Sequence, residues 1–181
     1  GLPNRQSFET QLEENVALAR RRGQTLAVLS VDIDDFRPIN DSLGHTTGDR
    51  LLVAIAGRLE SVLDDGQLLA RLGGDEFVVL VPAVTNQEQV VALAESILDA
   101  LTQLYVVDDH RLQVSGSVGI AASDRSMNAA GDLINQANQA MFRAKQRGRN
   151  TWEWHAGDMT PEITERVTLR RELEEAVLRE E

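Results

Sequence analysis

Cysteine is absent from the 181 residues, which rules out a disulfide framework, a cysteine zinc site and a thiol nucleophile. No apolar run approaches the roughly 18 residues that a spanning helix needs, and no basic-then-apolar leader opens the sequence. No membrane contact by this segment is expected, although a longer parent chain could carry an anchor. Basic residues are also short: 18 Lys and Arg against 29 Asp and Glu give a formal charge of −11. A duplex-binding surface needs clustered cations to displace counterions, so no nucleic-acid partner is expected. A nucleotide still fits, because carboxylates can hold a metal ion that in turn holds phosphates. What remains is ordinary for a globular protein, with 42% hydrophobic and 26% charged residues. The length suits one compact domain with a short extension.

Apolar spacing predicts a helix from Phe8 to Arg22, ended by Gly23, with Arg20 to Arg22 near its negative end. Leu26 to Val31 reads as a strand buried on both faces that runs into Asp32-Ile33-Asp34-Asp35. Alternation puts Asp32 and Asp34 on one side of it. Acids directly after a buried strand are costly unless something positive meets them. Phe36 to Leu43 reads as a short helix or turn, and Thr46 or Thr47 as the cap of a long helix holding Leu51 to Leu63. Leu68–Leu72 and Phe77–Val81 flank Gly73-Gly74, the pattern of a hairpin whose two-residue turn needs positive φ twice. Asp75 and Glu76 follow that turn, expected on opposite faces, and Pro82 is expected to stop the strand. A helix over Asn86–Leu104 precedes a second expected hairpin, Tyr105–Val107 with Leu112–Ala121, turning near Asp108-Asp109. A helix over about 129–146 and a short strand Thr151–Trp154 complete a mixed sheet covered by helices. From Thr160-Pro161 onward the sequence reads as a charged helix with one apolar stripe, expected to lead into a second domain.

Acids therefore end two separate elements, Asp32 after one strand and Asp75 with Glu76 after a glycine bend. If the strands are neighbours, carboxylates that suit Mg²⁺ converge beside backbone N–H groups that phosphates can approach. Lys145 and Arg149 add positive charge around Gly148, and Asn40 and Asp49 flank Gly44–Gly48, where they can read a purine edge. Each piece alone has an ordinary reading: a helix cap, a plain hairpin, a turn, a solvated helix end. His45, His110 and His155 are scattered, and Trp152 and Trp154 read as packing residues. Neither an EF-hand loop nor a P-loop is present.

Taken in order, Gly1-Leu2-Pro3-Asn4-Arg5, Asp32 to Asp41, Gly44-His45-x-x-Gly48-Asp49, Arg71-Leu72-Gly73-Gly74-Asp75-Glu76-Phe77, Ser117 to Ala121 and Ala144-Lys145-x-x-Gly148-Arg149-Asn150 resemble the GGDEF domain of bacterial diguanylate cyclases. The resemblance implies an α+β fold with a central, mostly antiparallel five-stranded sheet, palm-like, over residues 1–156. Residues 157–181, especially Leu169 to Leu178, resemble the start of an EAL phosphodiesterase domain. In that family two GTP molecules condense to cyclic di-GMP and two pyrophosphates across an antiparallel pair of domains. By position, Asp32, Asp75 and the carbonyl of Ile33 would bind Mg²⁺, with Mn²⁺ an alternative, and Asp75 and Glu76 would serve the 3′-hydroxyl. Asn40 and Asp49 would recognise guanine, with Phe36, Arg37, Gly73 and Gly74 also at the substrate. Lys145 and Arg149 would hold the β- and γ-phosphates. The implied partners are GTP, cyclic di-GMP, a second copy and an EAL domain in the same cytoplasmic parent.

The sequence departs from the family pattern twice. Asp64 and Gln67 stand where many members carry an Arg-x-x-Asp product-inhibition site, so that site is expected to be missing. Arg37 stands in place of the commoner Lys, a planar fork instead of a point charge. Two other readings stay open: a GTP-binding regulatory domain for the adjacent phosphodiesterase, and a dimerisation scaffold.

Overall fold

The computed structural model describes residues 1–123 and 129–155, with Glu165, Thr168 and Leu169 beyond them. The helix expected from Thr160 therefore lies almost wholly outside the described residues. The order is α1 (Arg5–Arg22), β1 (Thr25–Ile33), α2 (Phe36–Leu43), α3 (His45–Glu60), β2 (Leu68–Gly73), β3 (Glu76–Val84), α4 (Gln87–Thr102), β4 (Tyr105–Val107), β5 (His110–Leu112), β6 (Gly116–Ala122), α5 (Ala130–Gln146) and β7 (Thr151–Trp154). Five strands form one sheet in the order β2-β3-β1-β6-β7. Only the β6–β7 pair is parallel; the other three are antiparallel.

β1 is the central strand, and its alternation builds two cores. Ala27, Leu29, Val31 and Ile33 face Leu51, Ile55, Ile97 and Leu101 of α3 and α4. Leu26 and Val28 face Phe8 and Leu12 of α1 and Leu133 and Ala137 of α5. Each fully buried side chain of this size stabilises by about 1.5–3 kcal/mol. Ser30 and Asp32 continue the second face as buried polar residues, so the strand carries its acid to the edge of the α5 layer.

Helix ends follow local chemistry. Asn4 Oδ1 accepts from Ser7 N–H at 2.9 Å to cap α1, and Gly23 closes it at φ 63°. Asn86 caps α4 by accepting from Gln89 N–H. The far end of α4 has no glycine. There the Arg58 guanidinium donates to the carbonyls of Ala100, Gln103 and Leu104 and lies 3.8 Å from the Tyr105 ring centre.

Four sequence expectations are corrected. α3 begins at His45 and is capped by neither threonine, because Gly44 at φ 85° joins α2 to it directly. Pro82 does not stop β3, since one extra residue bulges between Ala27↔Val81 and Thr25↔Val84 and spares the ladder a missing N–H. The second hairpin pairs only Tyr105–Val107 with His110–Leu112, through positive φ at Asp108 and Asp109. Gly116–Ala122 is a separate strand of the main sheet. Finally, the first hairpin turns on Gly74-Asp75: Gly73 already pairs with Glu76, so Asp75 lies in the turn.

Candidate active site

Asp32 sits second from the end of β1, opposite Glu76 on one side and Ser117 on the other. Directly opposed residues share a face, so Asp32 and Glu76 project together. Only 6% of Asp32 is exposed, and Lys145 Nζ, from the single lysine of the sequence, meets its Oδ1 at 2.6 Å. Burial pushes the Asp32 carboxyl above the ordinary aspartate range. The Lys145 ammonium opposes that rise, and the charges of Asp75 and Glu76 add to it. Ile33 N–H donates to the Asp75 carbonyl at 3.3 Å, which fastens the hairpin turn to the end of β1. Acids 43 positions apart in sequence (75 − 32) thus share one small volume with a cation.

The bend beside them is bare. Gly73 and Gly74 are exposed, with φ of 152° and 53°, and nothing lies within 4 Å of a Cβ built on either. Arg71, part of the motif Arg71 to Phe77 but with no expected role of its own, holds this bend: its Nε donates to the Gly74 carbonyl at 2.8 Å. Its backbone N–H donates to the Pro3 carbonyl. Its place two residues before the glycines was the available signal. Between the opening Gly1–Asn4, the α3 face with Leu52, Val53 and Ala56, and Arg71, Gly73 and Gly74 lies an open cleft of about 710 Å³. Glu76 also stands 4.0 Å from Arg5 of α1.

A second cluster forms where α2 meets α3. Phe36 is buried and Asn40 partly so. The Asn40 carboxamide lies over Gly48, where a Cβ would meet Oδ1 at 1.8 Å and the Phe36 ring at 3.3 Å. That buried Oδ1 has no hydrogen-bond partner. Asp49 follows on the exposed side of α3, three residues before the cleft-lining Leu52. Arg37 is not drawn in: its side chain is 90% exposed and only 3.9 Å from Asp41.

The segment Asp32–Asp35 and the segment 145–150 grip each other at three points. Lys145 meets Asp32, Asn150 N–H donates to Asp34 Oδ2 at 3.0 Å, and Arg149 Nε lies 3.7 Å from Asp35 Oδ1. Asp34 is buried inside this junction, a role that alternation with Asp32 did not disclose.

Among the described residues no group of three or more His, Asp or Glu side chains forms a metal cage. The donor chemistry present is that of a hard cation shared with a phosphate ligand: Mg²⁺ is usually held by one or two carboxylates plus substrate oxygens. Asp32 with the two acids near it, Asp75 and Glu76, exceeds the charge of Lys145, and such a donor set fits a cation of this kind.

Carboxylates thus gather against a bare backbone bend on a mixed sheet. A family model described as diguanylate cyclase, GGDEF domain, matches residues 1–151. The bifunctional diguanylate cyclase/cyclic di-GMP phosphodiesterase MucR of Pseudomonas aeruginosa is 34% identical over 178 residues, 98% of this chain and 26% of MucR. The diguanylate cyclase DgcP of the same species is 40% identical over 155 residues, 84% of this chain and 23% of DgcP. A solved GGDEF domain of Pseudomonas aeruginosa YfiN (or TpbB) matches with a TM-score of 0.83 at 35% identity, covering 86% of this chain and 97% of that one. The chain belongs to the diguanylate cyclase GGDEF family. It spans about a quarter of the length of MucR and of DgcP.

Proposed function

We propose that this domain condenses two GTP molecules into cyclic di-GMP. The reading rests on one observation: Asp32, Asp75, Glu76 and Lys145 gather beside the open Gly73–Gly74 bend. Asp32, Asp75 and the Ile33 carbonyl would hold Mg²⁺, with Mn²⁺ an alternative. A metal bound there would lower the pKa of the attacking 3′-hydroxyl and offset charge on the leaving pyrophosphate. The chain's residues do the rest. Asp75 and Glu76 draw the 3′-hydroxyl proton as the new 3′-O–P bond forms and the α–β phosphoanhydride breaks. Lys145 leaves Asp32 for the β- and γ-phosphates, and Arg149 joins it there. Asn40 and Asp49 present an amide and a carboxylate to the guanine edge, with Phe36 beneath the base and Arg37 at the rim. Two domains face each other, each carrying one GTP, so encounter of the pair supplies the second substrate. Residues 1–156 form this domain, and 157–181 lead to an EAL-like domain of a cytoplasmic parent.

A second reading is favoured by a likeness to NbdA of Pseudomonas aeruginosa, named only as a cyclic di-GMP phosphodiesterase and 32% identical over 177 residues, 98% of this chain and 22% of NbdA. In it the domain binds GTP without cyclising it and regulates a phosphodiesterase in the same parent. Incubating the purified chain with GTP and Mg²⁺ separates the two. Cyclic di-GMP, formed at a rate that rises more steeply than linearly with protein concentration, supports the cyclase. GTP binding with no product supports regulation, and no binding leaves only a scaffold.

Two predictions arise here. Gly48→Ala keeps a helical backbone that alanine favours by about 1 kcal/mol, but its methyl evicts the Asn40 carboxamide. GTP affinity is expected to fall about tenfold with the thermal midpoint unchanged or raised, as read by titration and calorimetry. Unchanged affinity would separate Asn40 from guanine recognition. The second concerns feedback. Asp64 and Gln67 close on each other through Gln67 Nε2 to Asp64 Oδ2 and Asp64 N–H to Gln67 Oε1, leaving no cation for a product phosphate. Added cyclic di-GMP is expected not to slow the reaction through this patch; calorimetry placing a product dimer at Asp64 would overturn that.

A further inference from the structure

Asp34 takes no part in the chemistry above, yet it is 5% exposed and fully engaged. Oδ1 accepts from Ser117 Oγ at 2.7 Å. Oδ2 accepts from Ser115 Oγ at 2.7 Å and from Asn150 N–H at 3.0 Å. Its own N–H donates to the Ser115 carbonyl at 2.9 Å. A buried carboxylate met by three neutral donors is a fixed point, because moving any of them strands a charge in a poorly solvated place.

What it fixes is unusual backbone. Gly148, Arg149 and Asn150 have successive φ values of 118°, 66° and 46°. Two of these residues carry side chains, and left-handed conformations of that kind persist only where the surroundings over-determine them. The Arg149 N–H bond to the Ala144 carbonyl ties the loop back to α5. The Asn150 N–H bond to Asp34 ties it across to the end of β1. Lys145 and Arg149 stand on either side of the bend so formed, beside Asp32 and Asp35 respectively.

We propose that Asp34 is the positioning residue of the phosphate-holding arm: by seating Asn150 between Ser115 and Ser117 at the end of β1, it sets where Arg149 and Lys145 meet a triphosphate. The inference rests on the GTP reading given above. Asp34 acts through the backbone of the loop and touches no reacting atom. Its loss therefore weakens the hold on the β- and γ-phosphates and leaves the contacts with base and ribose intact. A purely structural acid would weaken every ligand alike.

The test compares GTP with GMP, each titrated calorimetrically against this chain and its variants. Asp34→Ala is expected to lower GTP affinity about tenfold while GMP affinity stays within about twofold. Asp34→Asn is expected to restore GTP affinity to within about threefold, because it keeps an oxygen for Asn150 N–H and can turn its amide to Ser117 Oγ. If Asp34→Ala does not fold, the Ser115→Ala/Ser117→Ala pair carries the test. With both hydroxyls gone the carboxylate keeps only Asn150 N–H and is no longer anchored to β6, so the loop loses its fixed point and GTP affinity alone is expected to fall about threefold. Equal losses for GTP and GMP, or no loss for either, overturn the positioning role. If the unaltered chain binds GTP no more tightly than GMP, the phosphate arm itself is wrong and the GTP reading falls with it.

Discussion

Replacing Asp75 with alanine is expected to lower cyclic di-GMP formation by at least about 10³-fold, the scale on which preorganised charge contributes to phosphoryl transfer. The same change is expected to leave the fold intact or slightly more stable. Asp75 lies in the two-residue turn and is only partly buried, and its charge pushes the Asp32 carboxyl upward. Removing it relieves a cluster of three acids that a single lysine balances. Its backbone carbonyl, which receives Ile33 N–H, survives the substitution. Loss of activity at constant or higher thermal midpoint is therefore the expected pair of results. Product formation at the original rate would remove Asp75 from the mechanism.

Gly119→Val carries the largest expected cost to stability. A Cβ at Gly119 would stand 2.0 Å from the Ala137 carbonyl oxygen, 2.1 Å from Met141 N and 2.7 Å from Met141 Cα. All three are backbone atoms of α5, so no side chain can turn aside and the helix itself must lift from β6. Overpacking of this kind costs about 3 kcal/mol or more, which lowers the thermal midpoint of a domain of this size by roughly 10 °C. Because α5 carries Lys145, surviving folded protein is also expected to bind GTP more weakly. A midpoint within about 2 °C of the original would mean that α5 and β6 do not meet at Gly119.

Both predictions concern residues in sequence motifs, yet only part of their surroundings was legible there. β1 was readable because Leu26 to Val31, buried throughout, form an apolar run broken only at Ser30. The need of Asp32 for a positive partner was readable, and Lys145 meets it, but its approach to Asp75 depended on which strands are neighbours: β1 pairs with β3, whose hairpin turn carries Asp75. The position of the turn was not: Leu72 bulges from β2, and the reversal moves by one residue onto Gly74-Asp75. Residues 112–121 read as one strand, but they divide into an edge hairpin and a core strand, a division that depends on which sheet each half joins. Threonines next to Gly44 suggested a cap, yet the helix starts ahead of them because a left-handed glycine shortens the connection. Asp34 reads as alternating with Asp32, but it lies in the turn just past β1, and its purpose depends on Ser115, Ser117 and Asn150, which lie between 81 and 116 positions away in sequence.

Everything turns on whether the acids from β1 and the glycine hairpin share a cation when nucleotide is present. Crystals of the chain grown with Mn²⁺ and a non-hydrolysable GTP analogue, measured for anomalous scattering, answer this directly. A manganese peak is expected between the carboxylates of Asp32 and Asp75, with Lys145 turned from Asp32 to the terminal phosphates. A peak elsewhere, or nucleotide bound with Lys145 still on Asp32 and no metal beside it, would contradict it.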